Sequence, residues 1–224
     1  MYPNKNSELS ALAKKFGTDK ATDNRTNRFN YLHVYDLYFD RFKDEEINIL
    51  EIGVRKGKSL SVWKKYFPKA RIFGIDIDPN CLDYQDERVS IVIGPQEDNS
   101  TIQKVIDLCE SETGRDKFDI IIDDGSHINS DIIDSLSFLW DSLEKKGIYV
   151  IEDLYNSYGF VLPERKYPSK TSSRKIEGSP QMNLKNQRKD FDNFWKDIIT
   201  SVDDSTSNTL SAHVWDAICI ILKT

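Results

Sequence analysis

The sequence predicts an α/β protein, a mostly parallel sheet with helices on both faces. Three observations predict it. Short apolar runs and segments of helical spacing alternate along the chain. The runs are continuously apolar rather than apolar on every second residue, so both of their faces are to be buried, as in a parallel sheet covered on each side. Two of the runs, Phe118-Asp-Ile-Ile-Ile-Asp123 and Gly147-Ile-Tyr-Val-Ile151, finish abruptly in further acids, where open parallel sheets bind their ligands.

Ser7 to Phe16 carries Leu9, Leu12, Ala13 and Phe16 on one helical face, and Gly17 follows as a stop. After the polar stretch Gly17–Asn27, an aromatic-rich helix is marked by Tyr31, Val34, Tyr35, Leu37, Tyr38 and Phe42. Ile47–Ile52 is the first strand and Gly53-Val-Arg-Lys-Gly57 a glycine loop. A helix over Ser59–Tyr66 is closed by Pro68. Arg71–Asp76 and Val89–Ile93 are the second and third strands. The next helix, Thr101–Glu112, has Ser100 or Thr101 available as its cap. Asp119–Asp123 is the fourth strand. A helix over Ile132–Leu143 is given a basic, glycine-stopped end by Lys145-Lys-Gly147, and Ile148–Ile151 is the fifth strand. Leu154–Asp190 has no clear period. Phe191–Val202 reads as a helix with Phe194, Trp195, Ile198 and Ile199 inward, followed by a terminal hairpin, Leu210–Val214 and Ala217–Leu222.

Length and composition set the bounds. The 224 residues are read as one domain, 1–224, with 1–46 as an N-terminal helical cap and 154–190 as a substrate lid or loop. A formal net charge of -6 argues against a general nucleic-acid or anionic-membrane binder. Inside that acidic chain, Arg165, Lys166, Lys170, Arg174 and Lys175 make one stretch locally basic. Cys81, Cys109 and Cys219 are odd in number and form no Cys-x-x-Cys, so three reduced thiols are expected rather than disulfides or a zinc module. The polar N-terminus shows no signal peptide, and no apolar run approaches the roughly 20 residues that span a bilayer. The expectation is a soluble cytoplasmic protein, for which a homo-oligomer stays open.

The chemistry gathers at strand ends. The glycine loop Gly53–Gly57 lets backbone approach a ligand beside a helix N-terminus, although its spacing is not the dinucleotide fingerprint. Asp76 ends the second strand about 20 residues on, where an acid can accept from ribose hydroxyls, and this points to an adenosine-type ligand. Gln96, Glu97 or Asp98 could meet an adenine amine. Asp123, Asp124, His127, Glu152 and Asp153 all stand at carboxyl ends. Carboxylates so crowded repel unless a cation joins them, and with oxygen donors and no cysteine cluster the cation is a hard one, Mg²⁺, Mn²⁺ or Ca²⁺. His127, three residues after Asp124, is placed to act as a general base. Among the tyrosines of the aromatic helix, Tyr31 lies nearest the polar loop and is the best candidate for a ligand role; His33 and His213 are read as structural.

Ile49-Leu-Glu-Ile-Gly53, Gly74-Ile-Asp-Ile-Asp78, Ile121-Ile-Asp-Asp-Gly-Ser-His127 and Val150-Ile-Glu-Asp153 resemble class I S-adenosylmethionine-dependent methyltransferases. More narrowly they are similar to the metal-dependent sugar O-methyltransferases of macrolide biosynthesis, the macrocin and mycinamicin type, with the cephalosporin hydroxylase group as a relative. Phe16-Gly-Thr-Asp-Lys20 and the tyrosine-rich helix after it resemble the same group. The resemblance implies a Rossmann-like fold of seven strands, mostly parallel, with an antiparallel C-terminal hairpin strand. It implies Asp124, Glu152 and Asp153 as Mg²⁺ ligands and His127 as the catalytic base. Glu51, Gly53 and Asp76 become S-adenosylmethionine contacts, and the Gln96–Glu97 region the adenine side. Asp123 is then structural or on the cofactor side. The expected reaction is methyl transfer to a hydroxyl of a sugar or polysaccharide precursor. The alternatives are O-methylation of a phenolic or other small-molecule acceptor, and a non-catalytic S-adenosylmethionine-binding subunit.

Overall fold

The computed structural model describes residues 7–20, 31–154, 184–204, 208–215 and 218–224. Seven strands form one sheet: β1 (Asn48–Ile52), β2 (Arg71–Asp76), β3 (Val89–Ile93), β4 (Phe118–Asp123), β5 (Leu143–Ile151), β6 (Thr209–Trp215) and β7 (Ile218–Lys223). Their order is β3-β2-β1-β4-β5-β7-β6. The first five are parallel to one another, and β7 runs antiparallel to both β5 and β6. The chain starts in the middle of the sheet, builds outward through β2 and β3, and returns to place β4 on the other side of β1. That reversal is the switch point at which open sheets leave a crevice beyond their carboxyl ends.

Among the described residues six α-helices cover the sheet: α1 (Glu8–Phe16), α2 (Tyr31–Phe39), α3 (Lys58–Tyr66), α4 (Asn99–Thr113), α5 (Asn129–Leu139) and α6 (Leu184–Asp203). Successive strand residues point to opposite faces. Ile49, Ile72, Ile120, Ile122, Ile148 and Val150 therefore pack with α1–α3, while Leu50, Phe73, Ile121, Tyr149 and Ile151 pack with α4–α6. Both layers are buried, which is why the strands carry no polar alternation. Burying an isoleucine or phenylalanine contributes on the order of 1.5–3 kcal/mol each.

Several local expectations are corrected. Asp98, not Ser100 or Thr101, caps α4, its carboxylate accepting from Ser100 N at 2.9 Å; an ionised acceptor is the stronger cap. The segment expected to be one helix through Leu143 stops at Leu139, because Ser142 N and Leu143 N bond back to Leu139 O and Trp140 O in closing turns. Lys145-Lys146-Gly147 then lie inside β5, at an irregularity of its pairing with β4 where Lys146 has φ 64°. Between the second and third strands, Pro79–Tyr84 forms a 3-10 helix with Asp78 as its N-cap. α6 starts at Leu184, seven residues before its expected start. Ile199 on it is 60% exposed rather than inward, since the buried stripe runs through Phe194 and Ile198. All three cysteines are buried and free. Among the described residues, no helix is long and apolar enough to cross a membrane. Most of the 154–190 segment, including Arg165 to Lys175, lies outside the described residues.

Candidate active site

β1, β4 and β5 are neighbours, and the register pairs Ile52 with Asp123 and Asp123 with Ile151. The ladder then runs one step past the strands. Asp124 N donates to Ile52 O at 3.0 Å, and Glu152 N to Asp123 O at 2.9 Å. Asp124 and Glu152 thus leave the sheet side by side. Gly53 turns beside them at φ 92°, where a Cβ would fall 2.1 Å from the Asp124 carbonyl oxygen, so only glycine lets these two loops cross. His127 and Asp153 both hold φ 57°, a left-handed backbone that costs a non-glycine residue about 1–2 kcal/mol. That cost aims both side chains back toward Asp124. One donor atom from each of Asp124, His127 and Asp153 lies within 4.8 Å of the others. His127 Nε2 is 3.4 Å from Asp153 Oδ2 and 3.9 Å from Asp124 Oδ1. Asp153 Oδ1 accepts the Tyr31 hydroxyl at 2.6 Å.

Glu152 is buried and turned to other partners. The Lys20 ammonium donates to both of its oxygens at 2.7 Å, and the Tyr35 hydroxyl donates to Oε1. The same ammonium donates to Asp124 Oδ2 at 2.5 Å and stands 3.9 Å from Glu51 Oε1. Burial alone would lower the Lys20 ammonium, but Asp124, Glu152 and Glu51 together hold it well above the usual lysine range. Burial, reinforced by Asp124, raises Glu152 despite Lys20; burial likewise raises Asp153 despite its hydrogen bond from Tyr31. The edge therefore crowds acids whose ionised forms are opposed by burial and by one another, and which gain from a cation. Oxygen donors with one imidazole suit a hard divalent ion, so the residues present fit Mg²⁺.

The cofactor candidates fall in the same crevice. Glu51 is fully buried at the end of β1, where Ser59 Oγ donates to Oε2 at 2.9 Å and Trp63 Nε1 at 3.1 Å. Among the described residues its Oε1 has no hydrogen-bond donor. Burial pushes it up to about 7. Asp76 accepts from Arg55 N at 2.7 Å and from Asp78 N at 2.9 Å, which ties it to the glycine loop. Gly57, at φ 63°, lies on the Tyr84 ring, 2.6 Å from where a Cβ would sit. Glu97 is exposed. Gln96, expected on the adenine side, is buried and directs its amide under the site. Its Nε2 donates to both Asp123 oxygens at 3.1 Å and to Ser135 Oγ at 3.2 Å, and its Oε1 accepts Ser126 N at 2.7 Å. Asp123 is buried in that network and pushed up to about 6 by the burial. These two residues brace the loop that carries Asp124 and His127 from below. Sequence reasoning misses the roles of Lys20 and Tyr35. A lysine in a polar loop reads as solvated and a tyrosine at helical spacing as core; the available signals are the Phe16–Lys20 motif and an excess of strand-end acids with no cation named for them but a metal.

No family model matches the chain. It is 32% identical over 157 residues to the 8-demethyl-8-alpha-L-rhamnosyl tetracenomycin-C 2'-O-methyltransferase of Streptomyces olivaceus, covering 67% of this chain and 38% of that protein. It is 36% identical over 131 residues to the demethylmacrocin O-methyltransferase of Streptomyces fradiae, covering 55% of this chain and 31% of that protein. Among solved structures, the MycE methyltransferase of the mycinamycin pathway, in complex with Mg, SAH and mycinamycin VI, superposes with a TM-score of 0.74 at 25% identity. That superposition covers 97% of this chain and 54% of MycE. The chain has the class I methyltransferase fold. Its curated relatives are sugar O-methyltransferases. It spans less than two fifths of the length of those two relatives. A putative caffeoyl-CoA O-methyltransferase from Staphylococcus aureus shares the fold more distantly, at a TM-score of 0.58 and 17% identity.

Proposed function

We propose that the chain is an S-adenosylmethionine-dependent, Mg²⁺-dependent O-methyltransferase acting on a hydroxyl of a sugar or glycosylated precursor. The observation that carries this reading is the convergence of Asp124, His127 and Asp153 at the sheet edge that also holds the glycine loop and Asp76. The sugar acceptor is supported by the relatives' activities. In this reading Asp124, Glu152 and Asp153 hold the ion. Asp76 receives the ribose hydroxyls, while Glu51, Gly53, Gly57 and Tyr31 shape the amino-acid end of the cofactor site. Glu97, with Gln96 behind it, borders the adenine. When bound, the ion supplies Lewis acidity that eases ionisation of an acceptor hydroxyl, and the cofactor supplies the methyl group. His127 takes the hydroxyl proton at Nε2, and Asp153, 3.4 Å away, stabilises the imidazolium that forms. The strained backbone at His127 and Asp153 keeps both side chains aimed before the acceptor arrives, so the chain's main contribution is positioning.

The test is Asp124→Ala, assayed for methyl transfer to rhamnosyl or deoxysugar acceptors while Mg²⁺ and S-adenosylmethionine are titrated. The expected outcome is a loss of at least about 10³-fold in kcat. Full activity in that variant, or in wild type with excess chelator, would end the metal-dependent reading.

A further inference from the structure

Lys20 is the charged residue of the site to which this mechanism assigns no task. It is not a wandering surface lysine. Its side chain is 3% exposed, and its ammonium meets carboxylate oxygens of Asp124 and Glu152 at 2.5–2.7 Å, 104 and 132 residues away along the chain. The segment that carries it is pinned to the glycine loop: Lys58 Nζ donates to Gly17 O at 2.8 Å, and Arg55 pairs with Asp19 at 2.6 Å. With Lys20 and Tyr35 on Glu152, both oxygens of that acid are engaged, and Asp124 has given up Oδ2. The acidic oxygens nearest His127 are Asp124 Oδ1 and Asp153 Oδ2.

We infer that Lys20 is an internal counter-cation that competes with the divalent ion for Glu152 and Asp124, and thereby sets the affinity of the metal site. The inference rests on the metal-dependent reading above. A divalent ion of this size takes its oxygens directly, at about 2.1 Å. Three donors already occupy the lone-pair sites of Glu152, two of them from Lys20, so this acid joins an ion's ligands more readily as Lys20 withdraws. Where Lys20 stays on Asp124, its positive charge still repels the incoming ion. Both effects act in one direction, so Lys20 weakens metal binding. In return it neutralises the buried Glu152 and the half-buried Asp124, which would otherwise lack a cation whenever no ion is present.

The experiment is Mn²⁺ binding to the full chain, without cofactor or acceptor, measured by titration calorimetry on wild type, Asp153→Asn, Lys20→Met and Lys20→Gln. Wild type is expected to bind one Mn²⁺ and Asp153→Asn to lose it. Both Lys20 variants should bind at least about tenfold more tightly. Wild type that binds no Mn²⁺, or an Asp153→Asn that binds as wild type does, strikes the metal reading itself. Wild-type binding at this site together with equal or weaker binding in the Lys20 variants overturns the role of Lys20 and leaves the metal reading standing. Because removing Lys20 takes the counter-charge from buried Glu152 and half-buried Asp124, Tm is followed with and without Mn²⁺. A larger Mn²⁺-induced rise in Lys20→Met than in wild type supports the inference. Variants that stay unfolded at saturating Mn²⁺ overturn it, since the ion then cannot take over the lysine's place.

Discussion

The two edges of the sheet solve the same problem in opposite ways. At the amino ends of the strands, buried polar groups are matched to one another. Asn48 Nδ2 donates to Lys117 O at 3.0 Å and Thr113 Oγ1 at 3.1 Å. Asn48 N donates to Asp119 Oδ2 at 2.8 Å, and Arg115 pairs with both Asp119 and Glu144. At the carboxyl ends, Glu51, Asp124 and Glu152 crowd around one ammonium, with Asp153 beside His127, and among the described residues three of the four non-glycine positions with positive φ, Arg55, His127 and Asp153, are found there. The first edge is satisfied by the protein alone. The second is charged, strained and incomplete without something bound. A parallel sheet makes this division natural, since all its strand ends of one kind lie together.

The comparison can be broken in three ways. The largest effect is expected at Glu51. Its folded pKa of about 7 lies above the ordinary 4.5, so the folded protein keeps a proton that the unfolded chain gives up. The contribution of Glu51 to stability is then most favourable below about pH 4.5 and falls as pH rises toward 7, by up to about 3 kcal/mol for a shift of this size. Glu51→Gln, which still accepts from Ser59 and Trp63, should flatten that slope relative to wild type in metal- and cofactor-free urea melts at several pH values. Parallel slopes would show that Glu51 does not carry the penalty. Next, Asn48→Ala should cost about 2 kcal/mol, read as a lower denaturant midpoint, with kcat unchanged. A drop in kcat at full stability would put function at the wrong edge. The smallest effect sharpens the contrast within the active edge: Gln96→Ala should lower kcat about tenfold, with little change in KM for S-adenosylmethionine, because Gln96 braces the Asp124–His127 loop. A rise in KM alone would return Gln96 to the adenine side.

Much of this edge was legible in the chain. Continuous apolar runs announce buried parallel strands, and acids at the ends of two such runs announce where they converge. Boundaries set by competition between local signals were less legible. Asp98 outcompetes Ser100 as a cap because it is ionised, and Lys145-Lys146-Gly147, a plausible helix end, is drawn into β5 by pairing with β4. The direction of Gln96 was not legible at all, since its partners Asp123, Ser126 and Ser135 come from β4, the loop after it and α5.

By itself, then, the sequence determined the strand runs, the glycine that must sit where β1 ends, and the set of acids and one histidine delivered to the crevice, because periodicity, backbone freedom and charge are local properties. Only the tertiary structure decided which acids face which partner. Asp124, His127 and Asp153 were brought together by the register of β4 beside β5 and by two left-handed residues. Glu152 was given to Lys20 and Tyr35, which lie more than a hundred residues earlier. Pairing across such separations depends on how helices α1 and α2 dock on the finished sheet, and no short window of sequence encodes that.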